Sequence, residues 1–304
     1  MKINDKNLTL KYRAKTFYFA SAFLPRKVKK DIENLYIFCR YLDDLGDDLN
    51  IKKVESFKKL RIIKDQIKKK ESTFPVVRNF INIMIKHKIN KSVPIELIKG
   101  IENDLRGKVD VKTTEQLIKY CYQVAGTVGF MFCKIINVSD QKMILGGIQL
   151  GIAMQLTNIS RDVAEDLKMN RIYIPKSMRN YKDNDKEKIL SNNNIKMRIS
   201  KDLLVLLKLA DLFYENAWRS IYILKKKYGI PISIAAELYR RIGKKIAYKK
   251  GNIWRERIYV NFFEKVLFSF KAIYKLYFAK NISFKKKVES KVILMLKKLN
   301  VKFN

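Results

Sequence analysis

Residues 155–175 read QLTNISRDVAEDLKMNRIYIP and follow an apolar run. This pattern predicts a helix that ends at about Leu167. Asn158, Asp162 and Asp166 recur at every fourth residue, which places them one turn apart on a single helix face, with Gln155 close to the same stripe. The opposite side of this helix carries residues that are typical of a core, Leu156, Ile159, Val163 and Leu167.

Two interpretations of this acidic and amide stripe compete. A face exposed to solvent would be expected to be rich in lysine, as the rest of the chain is. Two carboxylates four residues apart also destabilise an isolated helix by roughly 0.2–0.5 kcal/mol. Mg²⁺ prefers oxygen ligands and is usually held by one or two carboxylates together with substrate phosphates. The stripe therefore favours a site for a hard cation.

A second acidic stripe lies in residues 38–48, which read FCRYLDDLGDD. Asp43 and Asp47 have the same spacing of four residues, and Asp44 and Asp48 lie beside them. Two carboxylate pairs so far apart in sequence must lie on different helices. If the two helices face each other across a cavity, they form a cage for a magnesium-bound diphosphate.

Together with two further motifs, these stripes carry a family resemblance. The motifs are RYLDDLGD at 40–47, QLTNISRDVAED at 155–166, YCYQVAGTVG at 120–129, and KTFYFA at 15–20 followed by Leu24-Pro25. In this order, from about Lys15 to Val260, the sequence resembles the squalene/phytoene synthase family and, within it, the bacterial phytoene synthases. The resemblance implies an all-α, single-domain isoprenoid synthase fold with helices around a central apolar cavity. The synthase domain would span residues 1–260, and residues 261–304 would form a basic amphipathic helical segment packed on it or continuous with it.

The resemblance also implies an activity. Two geranylgeranyl diphosphates would condense head to head, through a cyclopropyl (prephytoene) diphosphate, to phytoene, the first committed step of carotenoid biosynthesis. The cofactor would be Mg²⁺, or Mn²⁺ in its place. The alternative is a squalene or dehydrosqualene synthase that uses farnesyl diphosphate. Squalene formation would also need NADPH, and the sequence has no GxGxxG fingerprint.

Site residues follow from the resemblance position by position. Catalytic roles fall on Asp43, Asp47, Asp162, Asp166 and Tyr239. The metal ligands would be Asp43, Asp47, Asn158, Asp162 and Asp166. The substrate would be bound by Thr16, Phe17, Ser21, Arg40, Tyr122, Gln155, Asn158, Arg161 and Arg171. For Arg40, a salt bridge to Asp43 or Asp44 is the structural alternative, and Tyr122 could instead belong to the core.

Three positions depart from the family pattern or bear on substrate length. Ala14 stands where many members have a serine, which would remove a phosphate contact. A later arginine position is occupied by Glu256, between Arg255 and Arg257, so the second phosphate-binding arginine is left open between those two. The small Ser21 predicts a longer tunnel and a geranylgeranyl substrate, unless this side chain only packs against a neighbour.

Composition narrows the other possibilities. The chain has 304 residues, a formal net charge of +36, three cysteines and one histidine. An odd cysteine count without metal-ligand spacing is typical of reduced thiols in a cytoplasmic protein. His87 lies in a basic stretch, which argues against a histidine-based triad or metal site. We expect neither a signal peptide nor a membrane-spanning helix, because the N-terminus is polar and no long uncharged apolar run occurs.

The positive charge has three explanations: nucleic-acid binding, attraction to an anionic membrane, or a lysine bias over the whole surface. No nucleic-acid-binding motif is present, so we expect no nucleic-acid partner. Aromatic residues at helical spacing follow Asn261 among lysines, from Lys265 to Lys287, with Glu264 and Glu289 as the only acids. This pattern favours peripheral binding to the inner face of the cell membrane, although a packed helix with a solvated lysine face has the same pattern. A non-enzymatic relative would be expected to have lost its aspartates, and the oligomeric state cannot be deduced.

Overall fold

The protein is all-α, as the sequence predicts. A computed structural model describes residues 15–47, 51–106, 109–181 and 185–278, together with 294 and 296. The helices are α1 (Lys15–Ser21), α2 (Arg26–Asp47), α3 (Lys53–Lys69), α4 (Pro75–Lys86), α5 (Ser92–Leu105), α6 (Thr114–Cys121), α7 (Thr127–Ile135), α8 (Gln141–Lys168), α9 (Lys186–Ser191), α10 (Asn193–Ile223), α11 (Lys226–Tyr248) and α12 (Phe262–Phe278). A π-helical turn, Tyr122–Gly126, joins α6 to α7, and a 3-10 turn spans Lys176–Met178.

Helix α8 is the centre of the fold. It packs against α7, the π-helical turn, α10 and α11. Its core face is buried as the periodicity predicts, with Leu156 fully buried and Val163 and Leu167 nearly so. Among the described residues, α8 alone is long and apolar enough to cross a membrane, but 67% of its apolar window is buried inside the protein, as is typical of a core helix. The acidic stripe therefore lies on the helix that most of the others surround.

Glycines allow the segment from the π-helical turn to α7 to approach α8 closely. A Cβ added at Gly129 would lie 2.1 Å from the carbonyl oxygen of Gly147, and one added at Gly151 would lie 2.3 Å from that of Ala125. Backbone atoms cannot move away as a flexible side chain can, so any larger residue at these positions would separate the helices. Close packing is thus the structural role of these glycines.

Helix α2 carries the first acidic stripe and packs against α4 and α5. Phe38 and Phe80 stack with ring centroids 3.8 Å apart, and Leu42 and Leu45 are buried on the same side. The acidic stripe and this apolar face lie on different sides of α2. Packing of the apolar face against α4 and α5 therefore fixes the direction in which the carboxylates point.

Two helix boundaries differ from what the local sequence pattern indicates, and one agrees with it. A proline shortly after Tyr228-Gly229 is typical of a helix start, but α11 begins at Lys226 and Pro231 lies inside it, at the cost of one backbone hydrogen bond. The central acidic helix ends at Lys168, which confirms the predicted end at about Leu167, and Asn170, with φ 58°, turns the chain just after it. The pattern of residues 112–134 is typical of one long helix, but the π-helical turn divides this stretch into α6 and α7.

Two further features were not predicted. Val109–Asp110 (β1) pairs in parallel with Arg171–Ile172 (β2), and the short helix α9 lies inside residues 180–194, whose richness in Asn, Asp and Lys is typical of a loop. The proposed helix after Asn261 is present as α12, which packs on α11. Ala14 and Asp48, and Lys280, Lys285–Lys287 and Glu289 of the C-terminal segment, lie outside the described residues.

Candidate functional site

Asp162 of α8 lies between two guanidinium groups. Arg161 donates from Nε and Nη2 to the two carboxylate oxygens, at 2.7 and 2.5 Å. Arg257, from the segment after α11, donates to the same two oxygens at 3.1 and 3.2 Å. The structure therefore brings Arg257 to the acidic stripe, whereas Glu256 pairs with Lys249. Two planar guanidinium groups that each donate two hydrogen bonds to one carboxylate could donate in the same way to the oxygens of a diphosphate.

Asp166 lies one turn further along α8 and is partly buried. Burial and the charge of Asp162 raise the pKa of Asp166 well above its usual range, Arg171 opposes the rise, and Asp104 and Asp47 add to it. Asp47 belongs to α2 and Asp104 to α5. Carboxylates from three helices therefore act on one another at this site.

The negative charge of Asp43 on α2 is only weakly compensated by positive charges of the protein. Burial, followed by the charge of Asp47, raises the pKa of Asp43 to about 7, against the opposing charge of Arg40. Among the described residues, Asp43 accepts no hydrogen bond and forms no ion pair. Arg40 instead pairs with Asp44, with Nη2 2.5 Å from the carboxylate oxygen Oδ1. Charge is therefore left uncompensated at Asp43.

Arg171 connects the segment after α8 to the first acidic stripe, and its charge also acts on Asp166 of the second stripe. Its Nη1 donates to Asp47 at 2.7 Å and its Nη2 donates to the carbonyl oxygen of Gly46 at 3.0 Å. It follows α8 by three residues, in β2, and is buried. Burial lowers the pKa of Arg171, but Tyr173 and Asp47 more than offset this and the net pKa is raised. Motifs more than a hundred residues apart in sequence are thus joined by one ion pair.

A buried acid that the sequence analysis missed lies beside this link. Asp104 of α5 accepts hydrogen bonds from Tyr120 at 2.9 Å and from Tyr173 at 2.8 Å. The two phenol rings stack with centroids 4.7 Å apart, and their oxygens are 3.1 Å apart. Burial raises the pKa of Asp104 to about 6, although Arg171 and both phenols oppose the rise. Tyr120 and Tyr173 lie within the quoted motifs, but no sequence signal marked Asp104.

Tyr122 lies apart from this cluster. It belongs to the π-helical turn, where its ring would contact any Cβ at Gly126, 2.9 Å away. Burial, and then the charge of Glu96, raises the pKa of Tyr122 to about 12. Within the described ranges, no hydrogen bond joins Tyr122 to the acidic stripes, whereas Tyr120 reaches Asp104.

An aromatic wall adjoins Asp162. The rings of Phe17 and Tyr239 lie 4.9 Å apart, which brings α1 against α11. Burial raises the pKa of Tyr239 to about 12, and the charges that act on it include those of Arg161, Asp162 and Arg257. The phenol therefore stays neutral next to the charged groups.

The remaining predicted contacts of α1 are less direct. Thr16 is half-buried, and Ser21 is buried with its hydroxyl donating to the carbonyl oxygen of Tyr18 at 2.8 Å. Ser21 therefore has a backbone partner within its own helix. The contact satisfies the hydroxyl locally, as is common for serine near a helix end.

Asn158 supplies an unpaired oxygen to the stripe of α8. Its Nδ2 lies 3.4 Å from Oε1 of Gln155, but its Oδ1 is buried and has no hydrogen-bond partner among the described residues. Nε of Arg40 is likewise buried and has no hydrogen-bond partner among the described residues. Buried polar atoms normally have partners, so an orphaned acceptor and an orphaned donor beside two acidic stripes indicate that further groups bind here.

Comparison with known proteins identifies the family of this chain. The family model described as squalene/phytoene synthase matches residues 10–264. The chain belongs to the squalene/phytoene synthase family. It is 26% identical to the 15-cis-phytoene synthase of Pantoea ananas, over 84% of this chain and 85% of that protein. It is 28% identical to the phytoene synthase of Arthrospira platensis, over 86% and 89%.

Solved structures place this family member in the isoprenoid synthase fold. A dehydrosqualene synthase in complex with a ligand has a TM-score of 0.75 and 25% identity, over 88% of this chain and 93% of the other. A squalene synthase from Alicyclobacillus acidocaldarius has a TM-score of 0.68 and 20% identity, over 82% and 93%. As a member of this family, the protein is a prenyl transferase.

The residues fit a divalent cation of the kind the family implies. Among the described residues, no three His, Cys, Asp or Glu side chains converge into a metal centre of their own. Mg²⁺ needs no such cage, because one or two carboxylates and substrate phosphates suffice. The uncompensated Asp43 and the orphaned Oδ1 of Asn158 are oxygen donors of the right kind.

Proposed function

We propose that this synthase condenses two geranylgeranyl diphosphates head to head to phytoene, through a cyclopropyl diphosphate, as the first committed step of carotenoid biosynthesis. The observation that carries the proposal is the Arg171–Asp47 ion pair, which makes one site of the two acidic stripes. The curated relatives support the choice of product, because those from Pantoea ananas and Arthrospira platensis are named phytoene synthases.

In this proposal the acidic stripes would hold Mg²⁺, or Mn²⁺ in its place, through Asp43, Asp47, Asn158, Asp162 and Asp166. The bound ion would neutralise charge on the departing diphosphate, and this charge develops in the transition state. The chain's own cations supply the rest of the neutralisation. Arg161 and Arg257 each donate two hydrogen bonds to Asp162, and the same planar geometry suits phosphate oxygens. Arg40 and Arg171, which each pair with one carboxylate of α2, would add further positive charge.

The aromatic wall would hold the reacting end of the prenyl chain. Departure of diphosphate leaves an allylic cation, which water would quench, so the surroundings must exclude water. Phe17 and the buried Tyr239 pack against each other, and aromatic rings of this kind would stabilise a cation held next to their faces. A neutral phenol at Tyr239 can also donate one hydrogen bond without adding negative charge.

Product analysis tests the proposal. Purified protein is incubated with Mg²⁺ and either geranylgeranyl or farnesyl diphosphate, with and without NADPH, and the organic phase is analysed beside an Asp162→Asn control. We expect a forty-carbon hydrocarbon with a central triene from geranylgeranyl diphosphate alone, and none from the variant. No hydrocarbon from either substrate would contradict the proposal and favour a binding or assembly role.

The second candidate is a thirty-carbon product, dehydrosqualene or, with NADPH, squalene. It is favoured by the likeness to the dehydrosqualene synthase, whose TM-score is 0.75. Substrate length can be tested at Ser21. If this small side chain leaves room for the longer tail, Ser21→Phe will shift the preference from geranylgeranyl towards farnesyl diphosphate, and Ser21→Ala will leave it unchanged. An unchanged preference in Ser21→Phe would leave Ser21 with its packing role alone.

A further inference from the structure

Helix α12 exposes a row of large apolar side chains. Phe263, Leu267, Phe270, Tyr274 and Phe278 are 83%, 64%, 68%, 65% and 69% exposed. They are spaced three or four residues apart, so they form one stripe along the helix, which we call the α12 stripe. Isolated exposed apolar residues need no explanation, but a continuous row of aromatic residues indicates an interaction surface.

The opposite face of α12 is already occupied. Ala272 and Leu276 are buried against the rest of the protein, where α12 packs on α11. Lys275 points inward, pairs with Glu237 at 3.1 Å and lies 3.7 Å from the ring centroid of Trp218. The orientation of α12 is thus fixed by its inner face, and the stripe faces outward.

The α12 stripe continues onto α1 and so reaches the candidate site. Phe262, at the start of α12, lies 6.5 Å from the ring of Phe19, which in turn lies 6.1 Å from that of Phe23. Phe23 is 46% exposed. Phe17, on the same short helix, contacts Tyr239 of the aromatic wall. Helix α1 therefore has the exposed apolar surface at one end and the site at the other.

The charge around this surface is positive. Arg26 and Lys27 are exposed just after Phe23, and Lys271 is exposed beside the stripe. The only acid in α12, Glu264, is neutralised by Lys245 at 2.8 Å and Arg241 at 3.1 Å. Apolar aromatics bordered by cations complement an anionic lipid surface, where rings enter the headgroup region and cations meet phosphates. A second copy is a poorer occupant, because two chains of formal charge +36 repel each other.

We propose that the α12 stripe and Phe23 dock the protein on an anionic lipid bilayer. Docking itself does not depend on the proposed reaction. One consequence rests on the proposed function: helix α1 would provide the path along which a prenyl tail passes from the bilayer to the aromatic wall. The long apolar tail would then not have to cross water.

The test is sedimentation with vesicles of pure phosphatidylcholine and with vesicles containing about a third phosphatidylglycerol. The test variant is Phe263→Ser/Phe270→Ser/Tyr274→Ser. The matched control is Val54→Ser/Met197→Ser/Val205→Ser, which removes side chains that are 79%, 60% and 51% exposed on other helices. We expect stronger binding to the anionic vesicles, weakened by salt, with the test variant binding about tenfold more weakly or worse and the control binding as the wild type.

Three results would overturn the proposal. One is equal vesicle binding by the test variant and the wild type. Another is a wild-type protein that does not bind vesicles but forms a dimer in sedimentation velocity, with the dimer lost in the test variant. The surface would then bind a second copy of the chain. The third is duplex DNA binding that the test variant loses in place of lipid binding. None of these readouts involves catalysis, so a failure to make phytoene would leave the vesicle result interpretable.

Discussion

Asp43 and Asp162 are the first aspartates of two similar stripes, but the protein treats them differently. Asp162 accepts hydrogen bonds from two guanidinium groups. Asp43 lies among other carboxylates, and burial raises its pKa to about 7, with a further rise from the charge of Asp47. The charge of Asp162 is thus neutralised by the chain itself, whereas Asp43 has no cationic partner in contact with it among the described residues.

Removing either charge is expected to have the largest effect. We expect Asp43→Asn and Asp162→Asn each to lower turnover by about 10²–10³-fold, the usual cost of losing one preorganised electrostatic contact in a transition state. Initial rates with saturating prenyl diphosphate and Mg²⁺ measure this. Asp65→Asn, an exposed change in α3, is the control. If one stripe proved dispensable, the two would not form one site.

The arginines next to Asp162 sharpen the comparison. Arg257 reaches Asp162, so we expect Arg257→Gln to raise the KM for prenyl diphosphate by about tenfold, as expected for the loss of a charged contact to phosphate. Arg257→Lys is expected to recover only part of this, because an ammonium group cannot fork. Arg255→Gln is the matched control and should leave KM unchanged. Equal effects at both positions would indicate general electrostatic attraction.

A smaller effect is expected at the other end of α2. Asp31 lies near Lys86 and His87, at 2.7 and 2.8 Å. Burial raises its pKa, but these two partners lower it by more, so the net pKa is lowered. A lowered folded-state pKa stabilises the fold above the unfolded value of about 4, and this contribution is lost as pH falls through the folded-state pKa.

Asp31→Asn should therefore lower the free energy of unfolding by about 1 kcal/mol at pH 7 and by much less at pH 3. Denaturant unfolding at the two pH values measures this, with Asp65→Asn again as the control. A difference that persists at pH 3 would mean that the carboxylate charge is not responsible. Helix α2 would then not contain one aspartate with a compensated charge, Asp31, and one without, Asp43.

The acidic stripes could be predicted because their periodicity is local. Helical spacing fixes which residues share a face. The sequence therefore predicts both the stripe from Asn158 to Asp166 and the apolar face opposite it. The family motifs added the order of the segments. The π-helical turn and the two-residue pairing of β1 with β2 were not predictable from local pattern, because the turn packs against α8 and α5 and β2 packs against α8.

Asp104 shows why the rest of the site could not be read from the sequence. It is a single acid in an ordinary amphipathic helix, and only the fold brings Tyr120 and Tyr173 to its two oxygens. Likewise, sequence could not choose between Arg255 and Arg257, because the choice depends on how the segment after α11 passes α8. Contacts between distant segments, rather than helix positions, are what the structure adds.

Thermal unfolding at pH 8 tests most directly whether the charges of Asp43 and Asp162 are compensated differently, and it needs no enzymatic activity. In the absence of Mg²⁺, Asp43→Asn should stabilise the protein by about 1 kcal/mol by relieving carboxylate repulsion, whereas Asp162→Asn should destabilise it by breaking two ion pairs. Mg²⁺ with pyrophosphate should stabilise the wild type more than Asp43→Asn. A destabilised Asp43→Asn variant that responds fully to Mg²⁺ would contradict the account.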